Sequence, residues 1–319
     1  MADMINRNKA FLYKLESGKG VDATPVPAND LIVPSSDINI EIATEQDSGE
    51  GEIKGTWGPG ASVTMKQGMS LPVETRVRGL GKGASALLLP SIHPMLMASA
   101  HTVVSSGDGV ATARKAVYTP TSAQANLQSA SGYFYEDGAL YKLLGAVNDL
   151  SFEATMSVLL AKGNVQAGYA VPTTAAVPAI TAPTQEIYRM TSALCTVTDG
   201  PGEINVGAFT FDLGVSIEED YATGVHFFEL VDRNPTITID PKAVAGGTEW
   251  AALSAATSAV ISATFYNSLG ETLIFDFPKA VSSEVKSGTR AGRITREKTF
   301  SLKESSGDDQ YTITWNSVL

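Results

Sequence analysis

The sequence predicts a mainly β protein, and three observations carry that reading. Apolar residues recur at every second position in many short runs, glycines and prolines punctuate those runs, and only two stretches have helical spacing. Such alternation places one face of a strand on a core and the other toward water or a neighbour.

In chain order, Ile38, Ile40 and Ile42 alternate with Asp37, Asn39 and Glu41. Val63 and Met65 alternate with Ser62, Thr64 and Lys66, and Val73, Thr75 and Val77 with Glu74, Arg76 and Arg78. Tyr133-Phe134-Tyr135 before Asp137-Gly138 reads as a strand entering a turn. Phe152, Ala154, Met156 and Val158 predict another strand. The second half repeats the pattern at Phe209/Phe211/Leu213, Ile237/Ile239, Leu273/Phe275/Phe277, Phe300/Leu302 and Tyr311/Ile313/Trp315. One helix is expected within 84–100, where Leu88, Ile92, Met95 and Leu96 share a face and Pro90 and Pro94 constrain the ends. The other is expected over 248–256, with Thr248 as N-cap and Glu249 in the first turn.

A chain of 319 residues has room for two domains. The uncharged stretch 167–183, with Pro172, Pro178 and Pro183, reads as an extended connector. The predicted division is therefore a first domain over 1–172, a connector over 173–184 and a second domain over 185–319. The halves share an order of elements: a strand, glycines, a helix, an aromatic strand, a turn and further strands. Gly79, Gly81 and Gly83 follow 71–78, as Gly246-Gly247 follow 236–240. That order suggests a duplication.

Composition narrows the function. With 43% hydrophobic residues there is material for real cores, and a net charge of −11 from 34 acids and 23 bases argues against tight nucleic-acid binding. The single cysteine, Cys195, permits no intramolecular disulfide or Cys-based metal site. Residues 1–9 are polar, unlike a secretory signal, and the charge-free runs 84–107 and 250–270 lack the continuous apolar character of a membrane span.

Chemical motifs are missing where an enzyme would need them. Gly79-Leu80-Gly81-Lys82-Gly83 lies between strand and helix, but no Ser or Thr follows Lys82, and position 84 is not the third glycine of a dinucleotide fingerprint. The histidines, His93, His101 and His226, lack metal-pair spacing, and neither HExxH nor GxSxG occurs. The sequence thus predicts a non-enzyme without catalytic, cofactor-binding or metal residues. Two charge runs stand out: Glu41, Glu45, Asp47, Glu50 and Glu52, and Lys286, Arg290, Arg293, Arg296 and Lys298. They are either solvated faces or complementary contacts between copies. Trp57 sits in the glycine-rich stretch 46–60 and must bury either under its own domain or in a partner. The candidate contact residues are Glu45, Asp47, Glu50, Glu52, Trp57, Arg290, Arg293 and Arg296.

Four segments resemble the long tail tube proteins of tailed bacteriophages with non-contractile tails. They are 14–24 (KLESGKGVDAT), 71–89 (LPVETRVRGLGKGASALLL), 144–169 (LGAVNDLSFEATMSVLLAKGNVQAGY) and 209–241. These motifs are architectural rather than chemical, and the chain departs from the short, single-domain tube proteins in having a second, similar half. The resemblance implies two tail-tube-type β-sandwich or barrel domains, each with a short helix. It implies a structural virion subunit that stacks in rings to form the hollow tail tube through which DNA passes without specific binding. The loop over 46–60 would contact the next ring. The partners implied are the chain itself, as a homotrimer of pseudo-sixfold symmetry in preference to a homohexamer, a tape-measure (ruler) protein, and tail terminator and tail-tip proteins. No cofactor or membrane is implied, and the expected location is the virion after assembly in the host cytoplasm. Two rivals stand beside it. One is a β-rich virion adhesion or receptor-binding module. The other is a β-sandwich hydrolase, in which His226 or His93 would meet carboxylates in a pocket.

Overall fold

The structure, a computed structural model, describes residues 8–47, 62–82, 87–107, 113–181, 183–200, 202–223, 225–244, 247 and 249–317. It is mainly β, as the alternation predicts, with two short helices. In chain order the first strands are β1 (Lys9–Leu15), β2 (Leu31–Ile32), β3 (Glu41–Asp47), β4 (Val63–Arg76), β5 (His101–Ser106), β6 (Lys115–Pro120), β7 (Ala130–Glu136), β8 (Ala139–Ala154), β9 (Leu160–Gly168) and β10 (Thr173–Thr174). They are followed by β11 (Cys195–Asp199), β12 (Gly202–Ile204), β13 (Phe209–Asp212), β14 (Val215–Ala222), β15 (Val225–Arg233), β16 (Thr236–Ile239), β17 (Ser258–Tyr266), β18 (Thr272–Arg290), β19 (Arg293–Leu302) and β20 (Thr312–Asn316). Helix α1 (His93–Met97) lies between β4 and β5, and α2 (Glu249–Ser254) between β16 and β17.

Two long strands organise the fold, because each pairs with different neighbours along its two parts. The first part of β8 pairs with β7 on one side and β10 on the other, and β7 carries β1. The later part of β8 pairs with β9, which carries β4. In the same way the first part of β18 pairs with β17 and β20, and β17 carries β11. The later part of β18 pairs with β19, which carries β16. All these pairs are antiparallel. Each half also has a hairpin, β3 with the first part of β4 in one and β14 with β15 in the other; the second lies against the first half, with Phe227 beside Gly20 and Gly145 and Phe228 beside Gly68. The same pairing pattern therefore occurs twice along the chain.

The halves are also joined. Ser151–Ala154 of β8 pair with β13, from Phe209↔Ala154 to Asp212↔Ser151. β20 pairs with β6, which carries β5. One apolar cluster runs through both halves. At its centre Phe152, Phe209, Phe211, Phe265, Phe275, Phe277 and Tyr311 are buried and contact one another, with Phe211 and Phe277 4.9 Å apart edge-to-face. Burying a side chain of this size stabilises by about 1.5–3 kcal/mol.

Local departures from the sequence reading have physical causes. β8 stops at Ala154, because the chain turns at Met156, which has φ +47° and is exposed, and Val158 makes only a bridge to Arg189. The first helix is only five residues long. Pro94 occupies its first turn and has no N–H, and Leu88 lies outside it, exposed. Thr248, the expected N-cap of the second helix, lies outside the described residues. The expected connector holds the short strand β10 on β8, and just beyond it Tyr188 is buried between Val77 and Leu159 by backbone bonds of 3.0 Å to each.

Candidate functional site

The strands β4–β9–β8–β13–β16–β19–β18 form one continuous run of hydrogen-bonded neighbours through both halves. Alternation gives this run two different faces. Val73, Val165, Leu150, Phe152, Phe209, Phe211, Ile237, Ile239, Phe300 and Val285 face the core. The intervening residues form a polar face: Ser70 and Glu74, Lys162 and Asn164, Asp149, Ser151 and Glu153, Thr210 and Asp212, Thr236 and Thr238, Glu297 and Thr299, Glu284 and Lys286. With Arg76, Asp240, Arg290 and Arg293, which share this parity, seven acids stand beside five bases. Lys162 pairs with Glu153 and lies 3.8 Å from Glu74, and Lys286 lies 2.8 Å from Glu284. Ser70 donates to Asn164 at 2.7 Å and the Thr238 and Thr299 hydroxyls are 3.0 Å apart, so the face is internally hydrogen-bonded across strands. Burial raises the Asp149 carboxyl above its ordinary range, the like charge of Asp212 adds to the shift, and the Asn164 N–H, 2.8 Å away, opposes it.

The predicted contact residues fall on two separate regions. Glu45 is on β3, every residue of which is exposed, and lies 3.3 Å from Lys66. Lys66 in turn lies 2.7 Å from Glu219 of β14, and Tyr221 donates to the Met65 carbonyl at 2.5 Å, so the two hairpins are tied together. Asp47 is the last residue of β3. Glu50, Glu52 and Trp57 lie outside the described residues. Arg290 lies 2.6 Å from Asp240 and donates to the Asn205 carbonyl at 3.2 Å, while Arg293 is exposed at the start of β19. Arg296 sits over the Trp250 ring at 5.6 Å and donates to the Ser287 hydroxyl, and Lys298 lies 3.2 Å from Asp199. Several charges of both runs thus have partners within the chain.

The glycine turn is filled from within. Glu271 is buried, one carboxylate oxygen accepts the Gly81 N–H at 2.6 Å, and the other accepts from the Asn267 amide. A Cβ at Gly79 would collide with that carboxylate. Burial raises the Glu271 carboxyl, against the pull of those donors. An anion does sit on the backbone N–H groups of this turn, but it is a side chain 190 residues away in sequence. No local signal marks Glu271.

The histidines stand apart from one another. His101 is fully buried, with one ring nitrogen 2.9 Å from the Leu96 carbonyl and the other 3.0 Å from the Tyr311 hydroxyl, and burial pushes it down to about 3. His93 meets the Tyr118 hydroxyl at 2.9 Å and is pushed down to about 4 by burial. His226 meets a carboxylate, Glu219, at 2.9 Å on the β14–β15 hairpin. Glu219 also binds Lys66, whose hydrogen bond holds its carboxyl below the ordinary range. Among the described residues no group of three or more His, Cys, Asp or Glu is placed to hold a metal ion. No helix among them is long and apolar enough to cross a membrane. In comparison with known proteins, the chain matches no protein-family model and no curated protein.

Proposed function

We propose that the protein is a structural subunit that assembles into a hollow tube, the tail tube of a tailed phage, and that it acts as a conduit wall rather than as a catalyst. The observation that carries this reading is the strand run with one apolar face and one polar face of net negative charge. Its apolar face is already covered by the chain's own core. The polar face then lines an aqueous channel, where excess negative charge repels DNA phosphates and lets a duplex pass without sticking.

The doubled pairing pattern supports three chains per ring rather than six. Each chain supplies seven strands and the segment 34–40, which bridges to β4 at Pro34↔Thr75. Three chains give about 24 strands. At a spacing of about 4.8 Å and a tilt of about 40° these enclose roughly 50 Å between backbones, or roughly 35–40 Å once inward side chains are subtracted. That bore admits a DNA duplex, and six chains would double it. The exposed hairpin β3–β4 is suited to contact the next ring, an open-ended contact that makes filaments. On this reading a tape-measure protein, tail terminator and tail-tip proteins set tube length and ends, and the mature location is the virion.

Negative-stain electron microscopy of the purified protein at rising concentration tests this. Hollow tubes of uniform bore with threefold, pseudo-sixfold rings are expected. Single particles at every concentration, together with retention on immobilised host-cell envelope, would favour an adhesion module instead.

A further inference from the structure

We propose that Lys9 and Asn39 of one chain form an isopeptide bond, with release of ammonia, and that the Glu136 carboxylate carries the proton. The bond is made within the chain and does not depend on the tube reading.

The backbone places the three residues together. Lys9 opens β1 and stands directly opposite Glu136 of β7. That end of the ladder is closed, because Asp137 donates its N–H to the Asn8 carbonyl at 2.9 Å and the Asn8 amide donates to the Asp137 carboxylate at 2.6 Å. From there the Lys9 side chain reaches three consecutive residues of a second segment, Asp37, Ile38 and Asn39. Ile38 is buried in the core cluster, which fixes the backbone that carries Asn39. Both ends of the future bond are therefore held before any chemistry takes place, and the entropy of bringing them together is already spent in folding.

The surroundings of the lysine nitrogen go beyond an ion pair. The Lys9 side chain is only 8% exposed. Its Nζ lies 2.8 Å from Asn39 Oδ1, 2.8 Å from the Ile38 carbonyl oxygen, 3.1 Å from Asp37 Oδ1 and 3.2 Å from Glu136 Oε1. An ammonium has three protons, so these oxygens are one more than it can serve. The carboxylates answer its charge, and the carboxamide brings an electrophile onto the same nitrogen. With a C=O length of about 1.2 Å, Cγ of Asn39 is within about 4 Å of Nζ. Of the two carboxylates, Glu136 is the less exposed, at 24% against 50% for Asp37. It is also fixed by its place in the ladder, which makes it the better proton carrier.

The reaction balances without a cofactor or an oxidant. Transfer of one proton from Nζ to Glu136 leaves a neutral amine beside a carboxylic acid. The amine lone pair forms a bond to Cγ of Asn39, and the carbonyl electrons move onto Oδ1. Glu136 gives its proton to Nδ2 and takes the second proton from the attacking nitrogen. The carbonyl re-forms, the Cγ–Nδ2 bond breaks, and ammonia leaves. It carries the last proton away from Glu136 as ammonium, so the carboxylate ends as it began. The Ile38 carbonyl and Asp37 keep the nitrogen in position. The product closes a loop between residues 30 apart, which restricts the unfolded chain and pins the start of β1 to the segment that leads into β3.

Mass spectrometry of the denatured full-length chain after trypsin tests this. The expected product joins the peptides 8–14 and 20–54, is lighter than their sum by one ammonia, and is uncut after Lys9. Lys9→Arg keeps a cation for both carboxylates but supplies no amine nucleophile, so it should give the two peptides separately. It should also melt at a lower temperature than the parent. Asn39→Ala and Glu136→Gln should likewise leave the peptides separate, and Asp37→Asn should keep them joined. Parent protein that yields 10–14 and 20–54 as free peptides would overturn the bond. A bond formed as fully in Glu136→Gln as in the parent would overturn the role given to that carboxylate.

Discussion

Phe152 of β8 and Phe211 of β13 lie face to face, with ring centroids 6.1 Å apart and planes 10° from parallel, at the register position where the two halves share a sheet. Phe211 also touches Phe275, Phe277 and Tyr311. A contact made between halves rather than within one couples their stability.

The first prediction follows from that coupling. Phe211→Ala should cost about 3–5 kcal/mol, since a fully buried aromatic ring is replaced by a cavity. The parent protein should unfold in one urea transition, with circular dichroism and tryptophan fluorescence coincident. Two separated transitions would show that the halves unfold independently across this contact.

Acid should destabilise the fold through its buried imidazoles. The folded chain holds His101 down to about 3 and His93 down to about 4, while an unfolded imidazole titrates near 6.5. Above 6.5 both states are neutral and the contribution is constant. As pH falls below that value the unfolded chain binds protons that the folded chain refuses, so stability drops until the folded values are reached. The melting temperature should therefore decline between pH 6.5 and 4. In His101→Asn, which retains a donor for the Leu96 carbonyl, the decline should be shallower. Equal slopes in the two proteins would remove His101 as a cause.

Glu271 serves the fold rather than a ligand. Glu271→Ala should leave the Gly81 N–H and the Asn267 amide without their acceptor, at a cost of about 1–3 kcal/mol. The exposed Glu304→Ala should change stability by less than about 0.5 kcal/mol. Chemical denaturation of the two variants makes the comparison, and a neutral Glu271→Ala would contradict the role assigned to the carboxylate.

The polar face should repel DNA. Assemblies of the parent protein should not retain duplex DNA in a low-salt sedimentation assay. Asp149→Lys, Asp212→Lys and Glu284→Lys combined should retain it, with a loss as salt rises. Parent tubes that already bind DNA in low salt would argue against a repulsive lining.

Much of the local structure was legible in the chain. The alternating runs at Phe209/Phe211, Ile237/Ile239, Leu273/Phe275/Phe277 and Ile313/Trp315 all became strands with those residues buried, and Tyr311 is buried just before the last of them. They were readable because period-two burial depends only on neighbours a few residues apart. The helices were legible in place but not in length, and Met156 was misread as strand because the turn it makes leaves the alternation intact.

What the sequence by itself determined is the class of the protein: β strands, an acidic balance, two similar orders of elements and no chemical motif. Only the tertiary structure decided that β8 joins β13, that β6 joins β20, that Glu271 closes the Gly79–Gly81 turn, and that the later part of β18 and the segment 34–40 border the run of strands. Alternation fixes which face of a strand is buried, but it says nothing about which strand lies beside it. That choice depends on shape and hydrogen-bond register between residues far apart in the chain, and it is made only when the core closes.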